Sequence, residues 1–344
     1  MKQKLQDILY YILFALWWLV SILPMPILYL LSTFFFFLAY YVVRYRRKLV
    51  RKNLTESFPG KSKKQIVRIE KRFYLYFCDL MFESVKFFSI PKSELKYRMQ
   101  FKGLERINES LKQGRSCAIF LGHNCNWEWI SSLPLWIDKE NGKCLQLYHP
   151  LENPVMDRLV GYERERMGST NIPMAQSIRH IMKYRKEGKP VIVGFISDQV
   201  PIWESLNYWL PFFGKDTPVM TGGERIACKM DMDCYYAHAR RRRRGRYEVT
   251  MELITNQPKK MPEFWITEQY YKRLEANISE QPSYWLWSHR RWKRTRENFI
   301  LHNIEYGRWN ELRNAYFFDK DFPKGKPCLQ WAEENGMKLP TPEE

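Results

Sequence analysis

The chain has 344 residues, enough for a membrane anchor plus one large domain with a sizeable core. Its 56 Lys and Arg outnumber 37 Asp and Glu, giving a formal net charge of +19 that is drawn to anionic lipid head groups, nucleic acid or an acidic protein without choosing among them. Aromatic residues make up 16% of the chain, which suits a bilayer surface, and seven cysteines without a C-x-x-C pair exclude a zinc ribbon or a disulfide framework.

No charged residue stands between Asp7 and Arg44. As one straight helix that run would be ~54 Å long, well beyond a hydrocarbon core of ~30 Å. Pro24 and Pro26 mark the expected break, because each lacks a backbone donor and disfavours helix in the residue before it. The half ending at Leu23 reads as the better spanning helix. Ile27 to Val43 either lies in the interface or returns across the bilayer, so the anchor (1–43) is one helix or a helical hairpin. Arg44, Arg46, Arg47, Lys48, Arg51 and Lys52 follow at once, which places the rest of the chain on the cytoplasmic side and suits anionic lipid. No A-x-A-like site follows the run, so it reads as an anchor and not a cleaved signal. Phe58-Pro59-Gly60-Lys61-Ser62 ends like a phosphate-binding loop, but Thr55 stands where that pattern needs its first glycine.

Residues 116 to 121 read as a short buried strand, Gly122 allows a tight exit, and Asn124 or Asn126 can cap a helix through Trp127, Glu128, Trp129 and Ile130. His123 thus falls on a strand-to-helix turn with Glu128 in the first helical turn. A carboxylate on one imidazole nitrogen fixes the tautomer and stabilises the imidazolium formed when the other nitrogen takes a proton, so the pair is suited to act as a general base. Taken on spacing alone, His123 is more readily a loop histidine satisfied locally. Cys125 is set aside as a nucleophile, because neighbours on a chain seldom present their side chains to each other.

Further on, Val191 to Ile196 reads as a strand that delivers Asp198 either to a site or to the cap of the next turn. Cys234 to Ala239 and Tyr247 to Leu253 read as a hairpin with Arg240 to Arg244 at its tip, either solvated or held by an acidic partner. Arg290 and Arg291 sit beside His289 among tryptophans, where they bind phosphate or form a structural ion pair. These elements predict an α/β fold, a central mixed sheet flanked by helices behind the anchor.

The run Leu-Gly-His-Asn-Cys-Asn-Trp-Glu-Trp at 121–129 resembles the H-x4-D/E motif of the lysophospholipid acyltransferase superfamily, specifically its lipid A biosynthesis branch. Other landmarks resemble that branch in order: Asn53-Leu54 with Phe58-Pro59; Tyr148, Pro150, Asn153, Pro154 and Asp157 with Arg164 and Arg166; Ser197-Asp198-Gln199; Pro211 to Gly214 with Thr217; Thr221-Gly222; and Tyr284 to Lys293. The resemblance implies a glycerolipid acyltransferase-like domain (44–305) that transfers a fatty acyl group from acyl carrier protein to a hydroxyl of a lipid A precursor at the bacterial inner membrane, without metal, cofactor or nucleic acid. It makes His123 the base and Glu128 its orienting partner. Arg164, with Arg166 beside it, is a candidate for the oxyanion or a lipid phosphate, unless Glu163 to Arg166 is a solvated helix face. Asp198, Arg290 and Arg291 are candidates for substrate binding. Residues 306–344 extend past the last landmark with no assigned role. Two other readings stay open: an acyltransferase for another glycolipid, aminolipid or lysophospholipid using acyl-CoA, and a non-catalytic basic protein of the membrane or of nucleic acid.

Overall fold

The structure, a computed structural model, describes residues 2–138, 140 and 142–339. Helix α1 (Lys2–Ser21) stops before Pro24, and α2 (Met25–Phe37) carries Pro26 in its first turn, where a missing N–H breaks no helical bond. A π-helical segment, Leu38–Val42, continues α2. The basic helix α3 (Arg47–Ser57) leads to α4 (Lys63–Phe87), which starts at a capping box in which Ser62 and Gln65 satisfy each other's backbone N–H. The chain then runs through α5 (Lys92–Arg98), β1 (Met99–Lys102), α6 (Leu104–Lys112) and β2 (Cys117–Leu121). Next come α7 (Trp127–Ile130), β3 (Lys143–Tyr148), α8 (Pro154–Glu165) and β4 (Thr170–Pro173). They are followed by α9 (Ser177–Lys186), β5 (Val191–Ile196) and a small hairpin, β6 (Tyr208–Phe212) with β7 (Lys215–Val219). After α10 (Gly222–Met230) the long hairpin β8 (Asp233–Arg243) and β9 (Arg246–Thr255) leads to α11 (Trp265–Glu280).

Seven strands form one mixed sheet in the order β1-β9-β8-β2-β5-β3-β4, parallel throughout except where β8 meets β9. The continuous apolar run of β2 follows from its central place. Ala118 and Phe120 enter the core on one face, while Cys117, Ile119 and Leu121 enter the core on the other.

By length and composition, Met25–Val42 is the candidate membrane span among the described residues. This reverses the expected ranking of the two halves. Lys2, Lys4 and Asp7 occupy the start of α1; Asp7 pairs with Arg158 on α8 at 3.0 Å, and that guanidinium lies 3.9 Å from the Tyr10 ring centroid. Helix α1 therefore lies along the domain. Both helices turn large apolar side chains outward, among them Leu5, Ile8, Ile12 and Leu19 on α1 and Ile27, Leu30 and Phe34 on α2.

The arginine run finds its carboxylates within the chain. It continues β8 and turns at Gly245 (φ 68°). Arg241 and Arg244 both pair with the buried Asp79 of α4, at 2.7 and 2.6 Å, while Arg242 faces Glu248 and Arg240 faces Glu280. Asp79 also accepts from Ser32 of α2 at 2.6 Å, so the hairpin tip fastens α2 to α4. After α12 (Arg296–Glu305) the C-terminal extension folds as α13 (Trp309–Arg313), β10 (Tyr316–Phe317), β11 (Lys326–Pro327) and α14 (Cys328–Glu334). Phe317, Phe299 and Leu312 close over Trp209 of the β6–β7 hairpin, and Arg296 bridges Asp216 and Asp319 at 2.7 Å each.

Candidate active site

Strands β2 and β5 lie side by side in parallel with Leu121 level with Ile196. Two residues beyond that pair on each strand stand His123 and Asp198, so the register alone brings them together at the carboxyl ends of the two strands, where open α/β sheets place their ligands. Asp198 Oδ1 lies 2.6 Å from His123 Nδ1, and its Oδ2 accepts from the His123 backbone N–H (2.8 Å) and from Trp285 Nε1 (2.7 Å). Gly122 is required by this approach: a Cβ there would stand 2.6 Å from Leu274 Cδ1 and 3.1 Å from Asp198 Oδ2.

Burial alone would raise the carboxyl of Asp198, but His123 and the three donors outweigh it and hold the group below the usual carboxylate range. An ionised Asp198 can only accept, so Nδ1 of His123 carries the proton and Nε2 is the free base. Burial works to lower His123, and the charge and hydrogen bond of Asp198 overcome it, with a contribution from Glu128, so the imidazole ends above its ordinary value. Gln199 presents its side-chain amide nitrogen 3.1 Å from Nε2, and Trp127 packs edge-on at 5.0 Å between ring centroids.

The expected contact of Glu128 with the imidazole is thus made by Asp198. Glu128 sits in the first turn of α7, held by the Asn126 cap, but its carboxylate turns to Trp127 Nε1 (3.1 Å) and to Arg164 Nε (3.5 Å) at the end of α8. Glu163, which the alternative reading put on a solvated face with Arg164, is only 5% exposed, and burial followed by the charge of Glu128 pushes its carboxyl well up. Arg166 donates to the carbonyls of Phe87 (3.0 Å) and Ile90 (2.8 Å), which ties α8 to the end of α4 and leaves it out of the site. Arg290 is exposed. Arg291 is fully buried, donating to Pro218 O at 2.8 Å and reaching Tyr271 Oη at 3.1 Å, so it braces the core and does not meet a head group. Cys125 is buried, which raises its thiol, and its backbone φ is 54°.

His123, Glu128 and Arg164 line one cavity of ≈ 1250 Å³. Its depth is apolar, walled by Ile119, Ile130, Leu133, Leu145 and Ile192, and its outer wall includes Trp17 of α1 and Phe35 of α2. Gln199 and Trp285 were legible only as landmarks, yet they complete the histidine's surroundings. The other landmarks converge behind them. Asn53 donates to the carbonyls of Trp287 (2.9 Å) and His289 (3.2 Å), Phe58 stacks edge-on against Phe213 and Trp287, and Trp292 Nε1 donates to Thr217 at 3.0 Å.

An α/β sheet that sets a carboxylate-paired imidazole at the edge of a largely apolar cavity is the arrangement found here. The chain belongs to the family described as bacterial lipid A biosynthesis acyltransferases, whose profile matches residues 2–294. Among curated proteins it is similar to a lipid A biosynthesis acyltransferase of Haemophilus influenzae, 21% identical over 182 residues, which is 53% of this chain and 55% of that protein. It is also similar to a lipid A biosynthesis lauroyltransferase of Escherichia coli, 24% identical over 281 residues, 80% of this chain and 88% of that protein. The chain thus spans about half the length of the first of these relatives and most of the second.

Proposed function

We propose that the protein transfers a fatty acyl group from the thioester of acyl carrier protein to a hydroxyl of a lipid A precursor of the Kdo-lipid IVA type, at the cytoplasmic face of the inner membrane. The observation that carries this reading is the His123–Asp198 pair, 2.6 Å apart, at a cavity that is apolar in depth and walled in part by α1 and α2. An alkyl hydroxyl is a poor nucleophile until a base withdraws its proton. Nε2 of His123 takes that proton as the hydroxyl oxygen attacks the thioester carbonyl. Asp198 holds the tautomer and stabilises the imidazolium. Arg164 offers a fixed cation to the oxyanion or to a lipid phosphate, with Glu128 setting its position through the 3.5 Å contact. The intermediate then expels the thiolate, which recovers the proton from His123.

The apolar faces of α1 and α2 fit a bilayer, and the net charge of +19 fits both an acidic carrier and anionic lipid. The test incubates detergent-solubilised protein with acyl-charged carrier protein and a Kdo-bearing tetra-acylated lipid A precursor, and follows product mass. Gain of one acyl chain, abolished in His123→Ala, supports the reading. Transfer from acyl-CoA to a lysophospholipid or aminolipid alone replaces donor and acceptor. No transfer to any acceptor by folded protein sinks it.

A further inference from the structure

A saturated acyl chain offers no hydrogen bond, yet the cavity wall carries polar groups that the fold does not satisfy. Gln146 on β3 and Asn171 on β4 are register partners and so project to the same side of the sheet, and Glu163 comes from α8. All three line the cavity, and Gln146 Nε2, Asn171 Oδ1 and Glu163 Oε1 are buried without a hydrogen-bond partner among the described residues. The Asn171 amide is fixed, because its Nδ2 donates to Gly161 O at 2.9 Å, which leaves its oxygen as the unpaired atom. Glu163 lies 5% exposed, and burial followed by the charge of Glu128 raises its carboxyl well above the ordinary value.

We propose that Gln146, Glu163 and Asn171 form a polar station that holds a hydroxyl on the acyl chain of the donor, so that this site selects hydroxylated acyl groups over plain saturated ones. The complementarity is specific. A hydroxyl donates once and accepts twice: its O–H meets Asn171 Oδ1, and its oxygen accepts from Gln146 Nε2 and from the carboxyl of Glu163. A plain chain of equal length leaves the same three groups unmet, which is the costly outcome for buried polar atoms. The station shares its cavity with His123 and Glu128, so a chain whose carbonyl sits at the base also passes these three side chains.

This inference rests on the acyl-transfer reading above and fails separately from it. Full-length protein receives an equimolar mixture of carrier proteins charged with a plain saturated chain and with chains of the same length hydroxylated at the second or third carbon, and product masses are compared. The expected result is a preference of roughly tenfold or more for one hydroxylated donor, reduced toward unity in Glu163→Leu and in Gln146→Leu and kept in Glu163→Gln, which retains hydrogen bonding without charge. Wild-type protein that uses the plain chain equally well or better overturns the polar station while leaving acyl transfer standing, and this arm needs no variant to fold. A hydroxyl preference that survives both leucine variants also overturns it. Transfer of no chain at all overturns the reading beneath it.

Discussion

Replacing Asp198 by Asn tests the assignment of the base most sharply, because the two oxygens of Asp198 are not equivalent. Oδ2 faces two donors, the His123 backbone N–H and Trp285 Nε1, at 2.8 and 2.7 Å, whereas Oδ1 faces only Nδ1 of the ring at 2.6 Å. An asparagine must put its oxygen where Oδ2 was, since an NH2 there would confront both donors. Its NH2 then points at Nδ1, which becomes the acceptor, and the ring proton moves to Nε2. The base is thereby turned away from the acceptor hydroxyl with little change of shape. Wrong-tautomer substitutions of this kind lower kcat by on the order of 10⁴, equivalent to about 5 kcal/mol of transition-state stabilisation. Initial rates of acyl transfer by wild type and Asp198→Asn, with thermal unfolding of both as a check on folding, measure the effect. An Asp198→Asn protein that keeps its fold and stays within tenfold of wild-type kcat refutes the argument, and an equal loss in Glu128→Gln with Asp198→Asn near wild type would return the orienting role to Glu128.

The pH dependence of transfer should rise through a value above 6.5 and then level, because only neutral His123 is a base and its folded value is raised; in Asp198→Asn the inflection moves to lower pH, since the largest influence opposing burial is then gone. The same shifts bear on stability. His123, raised on folding, stabilises fully below about pH 6.5 and loses that contribution as pH climbs through its folded value; Asp198, lowered, stabilises above about pH 4 and loses it as pH falls. The difference in Tm between wild type and His123→Gln is therefore greatest between those limits, and a difference that peaks above pH 8 contradicts the pairing. Asp79→Ala leaves the buried Arg241 without its carboxylate and is expected to cost about 3–5 kcal/mol in denaturant titration. Phe317→Ala removes the ring packed on Trp209 and Trp331 at a cost of roughly 3–5 kcal/mol; a cost below about 1 kcal/mol would make the C-terminal extension dispensable to the fold. Gly194 lines the cavity with only Leu121 near, at 3.8 Å, so Gly194→Leu should fill the space of several methylenes and shift the products toward shorter chains, by about 0.8 kcal/mol for each methylene excluded.

The α/β fold was legible because β2 and β5 are short apolar runs ending in turn residues, and the hairpin because two alternating stretches flank a glycine. His123 was legible from its place after β2. Its partner was misread for a physical reason: closeness along the chain put Glu128 on the first turn of α7, but a helix start fixes only the backbone, and that side chain found a guanidinium. Asp198 lies 75 residues away and reaches the ring because β2 and β5 are neighbours in register, a pairing no local pattern announces. The arginine run was ambiguous for the same reason, since its chief counter-charge, Asp79, is on α4. Glu163 was hidden inside an alternating Glu-Arg-Glu-Arg run that looks solvated until the helix has something to bury it against.

Trp17 and Phe35, from the two helices that turn their greasy sides outward, are also part of the cavity wall, so on the proposed reading the same helices would face both the bilayer and the acyl chain. A detergent monomer is chemically a chain with a polar head, much like the proposed substrate, and would fit the same cavity. Purification therefore supplies a competitor along with the enzyme. Rates measured in micelles should fall as detergent tail length approaches that of the preferred acyl group, and should recover when the protein is returned to a bilayer.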